Sequence, residues 1–181
     1  MYVWARLIRT VATIKTRGKI PVNGESKLDF RCLPFDIDTN MHLNNARYLM
    51  LADLGRIDLF FRSGLVAATR THPWTPLMGG VQTAYVREIK LWREFSVISR
   101  MVTWKDTSVI GRHRFVLKDG TEAATVLTTA GIYDYEAKRF VPMEEVARVL
   151  GHDGDAPEPD PTEQAFMETH RLLRAEVKKN R

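Results

Sequence analysis

Residues 36–48 read Asp36-Ile-Asp38-Thr-Asn40-Met-His42-Leu-Asn44-Asn45-Ala-Arg-Tyr48. Two carboxylates, an imidazole and three side-chain amides are gathered just ahead of a helical pattern. A helix N-terminus carries backbone N–H groups without internal acceptors and the positive end of the helix dipole. Such donors polarise a carbonyl and hold the charge that develops on its oxygen. A carboxylate beside them can attack that carbonyl or take a proton from water. Asp38, His42 and the amides of Asn40, Asn44 and Asn45 therefore form a chemically competent set. The same residue types are ordinary helix caps, and histidine is often only a satisfied polar group. The pattern alone leaves both open.

The elements around this run must position it. Residues 28–34 alternate as a strand does, with Leu28, Phe30 and Cys32 on one face. Residues 35–43 form a loop rich in helix-starting types. Residues 44–63 make the longest helical pattern, apolar at Tyr48, Leu51, Leu54 and Leu59, as suits a helix wrapped by a sheet. Gly55 costs helix propensity and points to close approach of another backbone, and Gly64 is the expected stop. Residues 70–81, with two prolines and Gly79-Gly80, are expected to be a loop, mobile beside a binding site. Segments 82–92, 95–104, 108–117 and 122–134 are rich in Val, Ile, Thr, Tyr and Phe and are separated by polar turns, which predicts an antiparallel meander. A short helix follows at 142–150, starting on Pro142 and ending at Gly151. A proline-rich linker (152–161) leads to a charged helix over 162–180, with Phe166, Leu172, Leu173 and Val177 as partial apolar contacts. The expected organisation is an N-terminal amphipathic helix (1–20), an α+β domain (21–151) whose antiparallel sheet wraps one long central helix, and a linker with a C-terminal helix (152–181). One such sheet leaves exposed edges, and a dimer pairing two sheets would remove them.

Composition narrows the classes. A chain of 181 residues with 44% apolar residues suits one domain with a real core. One cysteine, Cys32, excludes an internal disulfide framework and any CxxC metal site, and fits a reducing compartment. The net charge of +5 is not massed in one run, and no nucleic-acid-binding motif is visible. A mildly basic surface suits a phosphate-bearing ligand such as coenzyme A or acyl carrier protein. No apolar stretch is long enough to span a bilayer. In residues 1–19, Val3, Trp4, Leu7, Ile8, Val11 and Ile14 recur at helical spacing among Arg6, Arg9, Lys15, Arg17 and Lys19. Such a helix lies on an anionic membrane surface or packs its apolar face on the domain or a partner subunit; the second is favoured because amphipathic surface helices are common. The expected location is cytoplasmic, peripheral at a membrane if the first alternative holds.

The run D-x-D-x-N-x-H-L-N-N-x-x-Y resembles the signature of hot-dog-fold thioesterases. It is similar both to the 4-hydroxybenzoyl-CoA thioesterase-like group and to the plant acyl-acyl-carrier-protein thioesterases. The resemblance implies a hot-dog fold over roughly residues 28–134 and hydrolysis of an acyl-CoA or acyl-carrier-protein thioester. Asp38 falls at the acidic position used as nucleophile or general base. Asn40 and His42 fall on the Asn and His of the carrier-protein type. Asn44, Asn45 and Tyr48 match the opening of the central helix and are assigned to substrate binding. Tyr85-Val86-Arg87-Glu88 resembles the Y-x-R-E at the start of the first long strand after the helix, which makes Glu88 a catalytic candidate; the alternative is a strand-edge carboxylate paired with Arg87 or Arg93. The chain departs from the pattern at Leu91-Trp92-Arg93, where many members carry Gly-Asp, and at Met41, where some carry glycine. The implied mechanism places the acyl chain between central helix and sheet and the oxyanion on backbone N–H groups near 44–47, with no metal or redox cofactor. A homodimer or dimer of dimers is implied, within lipid metabolism. Rival readings are a hydratase on the same fold, and a non-catalytic acyl-thioester-binding or membrane-associated scaffold that would be indifferent to Asp38→Asn.

Overall fold

The structure, a computed structural model, describes residues 3–179. Five strands form one antiparallel sheet: β1 (Glu25–Arg31), β2 (Trp74–Tyr85), β3 (Glu94–Lys105), β4 (Ser108–Leu117) and β5 (Glu122–Asp134), in the order β1-β3-β4-β5-β2, with the short β6 (Arg139–Phe140) on the end of β5. The central helix lies on the inner face. The remaining helices are α1 (Trp4–Ala12), α2 (Ile14–Arg17), α3 (Asn45–Arg62, the central helix), α4 (Leu65–Ala68), α5 (Met143–Val149) and α6 (Pro161–Lys179).

α3 is helical because Asn44 caps it, its side chain accepting from the Ala46 N–H at 2.9 Å. Its apolar side is buried at Tyr48, Leu51 and Leu54 against Val97, Phe115 and Val126 of the sheet, and at Leu59 against Met101, Val109 and Ala130. Burying each such leucine contributes roughly 2 kcal/mol. Gly55 allows the approach: a Cβ there would collide with Ser99 Oγ of β3. The close neighbour is thus a side chain rather than the expected backbone. Gly64, at φ +91°, ends the helix as expected.

β5 is buried almost continuously from Ala123 to Ile132 because both of its faces are covered. Ala124 and Val126 pack in the core beneath α3, and Leu127 packs under Phe166 of α6. β3, β4 and β5 fall where the sequence places them.

Three expectations are corrected. Residues 74–81 are strand, not loop: they form most of β2, a long edge strand. Pro76 is tolerated because an edge strand need not donate on its outer side, and a register shift between Met78 and Gly80 absorbs Gly79. The segment expected as strand over 82–92 stops at Tyr85, so 86–93 is loop. The N-terminal helix is not continuous to residue 20: it breaks at Thr13, whose hydroxyl donates back to the Arg9 carbonyl at 2.8 Å, and ends at Arg17. Its first two residues, and residue 180 of the C-terminal helix, lie outside the described residues.

α1 docks on the domain by only part of the expected face. Val3 and Leu7 reach the core, while Arg6 of α1 and Arg17 of α2 point inward to the buried carboxylates Asp36 and Asp58. Ile8 stays 67% exposed.

Candidate active site

The chemistry-bearing run forms a closed loop whose base is locked and whose tip is open. Asn44 N–H donates to the Asp36 carbonyl at 2.8 Å and Asp38 N–H to the His42 carbonyl at 3.1 Å. Ile37 and Leu43 form an isolated antiparallel bridge, and Leu43 is buried. The loop is also stitched to the segment after β2: Leu43 N–H donates to the Ile89 carbonyl at 2.8 Å, and His42 bridges Lys90.

Asp36 anchors this base. Its carboxylate is fully buried and takes two bonds from Arg6, at 2.9 and 2.6 Å, and one from the Leu33 N–H at 2.9 Å. The Arg47 Nε lies 3.8 Å away. Sequence reasoning gave Asp36 and Arg6 no role, although an arginine on the helix with no acid near it in sequence was the available signal.

Asp38 lies in the tight turn at the tip. Met41 N–H donates to its carbonyl at 3.0 Å, and Asn40 N–H donates to Oδ1 at 2.9 Å. The His42 Nδ1 stands 3.6 Å from the same oxygen, and both side chains are partly exposed, at 27% and 22%. The structure therefore brings Asp38, Asn40 and His42 together. Asn40 does so through its backbone N–H, its residue being exposed. Met41 sits at φ +62° and Trp92 at φ +65°, a region glycine occupies without cost. Both departures from the family pattern thus fall on left-handed backbone.

The other candidates are placed differently. Asn44 spends its side-chain oxygen on the helix cap. Asn45 is exposed at the first helical turn, and its carbonyl accepts from Tyr85 Oη at 3.2 Å. Tyr48 is in the core, 4.8 Å from the Phe115 ring and 5.0 Å from the Tyr85 ring; burial first, then Tyr85, holds its hydroxyl above the usual tyrosine range. The motif Tyr85–Glu88 does not open a strand. It leaves the end of β2, and Glu88 pairs in the loop with Lys90 at 2.9 Å rather than with Arg87 or Arg93. Beneath the loop, burial and then Asp36 push the Cys32 thiol up to about 11, so it stays protonated.

The structure narrows the implied mechanism at two points. Of the helix-start donors near 44–47, Asn44 N–H, Ala46 N–H and Arg47 N–H are already bonded to Asp36, the Asn44 side chain and the Asn44 carbonyl. That leaves the Asn45 N–H as the donor with no internal acceptor among the described residues. Between α3 and the sheet, a cavity lined by Arg56, Leu59, Met101 and His113 holds about 20 Å³, room for about one water and not for an acyl chain.

An antiparallel sheet curled over one long helix, with an acidic loop entering that helix, defines the hot-dog fold. The chain belongs to the thioesterase-like superfamily, whose model matches residues 32–150. It is 37% identical over 97 residues to Protein THEM6 of Xenopus laevis, a match covering 53% of this chain and 47% of that protein. The chain thus spans about half the length of that relative. Among solved structures it resembles the YbaW probable thioesterase of Escherichia coli, with TM-score 0.65, 20% identity, and coverage of 70% of this chain and 96% of that one. It also resembles the protein SAV2348 of Staphylococcus aureus, solved in complex with CoA, with TM-score 0.62, 15% identity, and coverage of 79% and 92%.

Proposed function

We propose that the chain is an acyl-thioester hydrolase with Asp38 at its catalytic centre, acting on acyl-CoA or acyl-carrier-protein thioesters. The observation that carries this is the Asp38 carboxylate itself: partly exposed, oriented by the Asn40 N–H at 2.9 Å, and 3.6 Å from the His42 Nδ1. With one oxygen held by Asn40, Asp38 is disposed to act as general base. It takes a proton from water, whose oxygen attacks the thioester carbon. The Asn45 N–H receives the developing oxyanion. The C–S bond then breaks, and the proton taken by Asp38 passes to His42, which gives a proton to the departing thiolate. Glu88, beside the loop, steers water or substrate. The CoA complex of the SAV2348 neighbour supports coenzyme A as the leaving group, and the exposed Arg87, Lys90 and Arg93 suit its phosphates.

The acyl chain lies at the seam of a homodimer joined along β2. That edge strand is twelve residues long and exposes Leu77, Met78, Val81 and Tyr85, the features of an edge that pairs. In the cell we place the protein in the cytoplasm. Peripheral membrane contact through α1 is tested by co-sedimentation with anionic vesicles.

The test of the chemistry is thiol release from a panel of acyl-CoA thioesters, short to long and aryl, with carrier-protein thioesters alongside, for the wild type and Asp38→Asn. Turnover by the wild type and its loss in a variant that still binds substrate supports the proposal. Equal rates in the two proteins remove Asp38 from the mechanism. No release from any thioester leaves a non-catalytic acyl-binding scaffold.

A further inference from the structure

The outer face of the sheet is covered by one helix, and that helix outruns the face. Ahead of α6, Thr103 Oγ1 of β3 donates to the Pro157 carbonyl at 2.7 Å. Arg112 of β4 meets Asp160 at 2.6 Å and Glu163 at 3.1 Å. Phe166 is buried on Ile110 of β4 and Leu127 of β5. At His170 the helix has reached the edge strand, where a Cβ on Gly80 would lie 2.7 Å from Nδ1. The chain therefore crosses β3, β4, β5 and β2 in turn.

Residues 171–179 follow, and every one is exposed. At about 1.5 Å per residue this overhang is roughly 13 Å long, more than two strand spacings of about 4.8 Å. It carries Leu172, Leu173 and Val177, which are 53–60% exposed. Between the overhang and β2 lies a groove of about 550 Å³, lined by Gly79, Val81, Phe166, Leu173 and Val177 among others.

We propose that this overhang pairs with its counterpart on a second copy of the chain: across a dimer seam at β2 the two α6 helices lie antiparallel, Leu173 and Val177 of each filling the groove of the other. The inference rests on the β2-edge dimer proposed above and names what its outer surface does. A two-fold axis at the seam brings the same patch of both copies together, as an isologous interface requires. The groove is continuous with the exposed apolar edge, so one association covers both.

The experiment is analytical ultracentrifugation of the full chain over a concentration series, for the wild type and for the double variant Leu173→Asp/Val177→Asp. Both positions are exposed, and circular dichroism confirms folding. The proposal expects a wild-type dimer whose dissociation constant rises at least tenfold in the variant. A dimer of unchanged affinity overturns the helix pairing while leaving the β2 edge standing. A wild-type monomer at tens of micromolar overturns both. A monomer that sediments with anionic vesicles only when Leu173 and Val177 are intact overturns it in favour of a lipid surface.

Discussion

Asp36 and Asp38 stand two residues apart in one loop and meet opposite surroundings. Asp36 is buried, with Arg6 on both oxygens and the Leu33 N–H on one. Asp38 is partly exposed, held by one backbone N–H and faced by an imidazole beyond hydrogen-bond distance. A buried carboxylate whose lone pairs are taken is a fastener. A carboxylate held at one oxygen and open to solvent is available for chemistry. Two of the five histidines repeat the contrast. His42 faces Asp38 at the surface, whereas His113 is enclosed in the core, with Ser99 Oγ at 2.8 Å and Thr128 Oγ1 at 3.3 Å. Burial first, then Arg56, lowers the His113 pKa to about 3, so it braces the sheet as a neutral group.

The sharpest way to break the comparison is to neutralise each aspartate. Asp38→Asn is expected to lower kcat for thiol release by roughly 10²–10⁴-fold, the usual contribution of a positioned general base, with an unchanged urea midpoint. Asp36→Asn is expected to do the reverse. It leaves the Arg6 guanidinium without its buried partner, a loss of about 3–5 kcal/mol, measured by urea unfolding, with α1 released from the domain. If Asp36→Asn unfolds at the wild-type midpoint, the fastener role is wrong.

The histidine contrast predicts a pH dependence. The unfolded chain protonates His113 near 6.5, and the folded chain only near 3. Between these values the unfolded state binds the extra proton, so stability falls as pH is lowered through that window, by up to about 1.4 kcal/mol per pH unit. It is fully present above pH 6.5. Unfolding of His113→Gln across pH 4–7 should show a flatter slope than the wild type, and an unchanged slope would assign the dependence to other groups.

The smallest effect concerns the shape of the loop. Met41→Gly relieves left-handed backbone worth about 1–2 kcal/mol against roughly 0.5–1 kcal/mol of added chain entropy. A gain of at most about 1.5 kcal/mol is therefore expected in thermal unfolding. A clear loss would show that the Met41 side chain, not the backbone, sets the turn.

Local pattern made much of this legible. The apolar spacing of Tyr48, Leu51, Leu54 and Leu59 marked the central helix. The β-rich runs marked β3, β4 and β5 because their partners bury them, and the Asp-x-Asn-x-His spacing marked the loop and its family. What failed was structure whose signal lies in its neighbours. Residues 74–81 of β2 read as a loop because an edge strand pairs on one side only, so Pro76, Gly79, Gly80 and the exposed side chains carry no alternation. Glu88 was put on a strand that ends three residues earlier.

The sequence by itself determined which residues can form helix, strand and cap, and which carry ionisable groups, because those depend on side-chain chemistry and short-range spacing. Only the tertiary structure decided that Asp36 is fastened by Arg6, thirty residues away, and that α6 overhangs the sheet. Burial and charge pairing are set by groups distant in the chain, and no local pattern contains them.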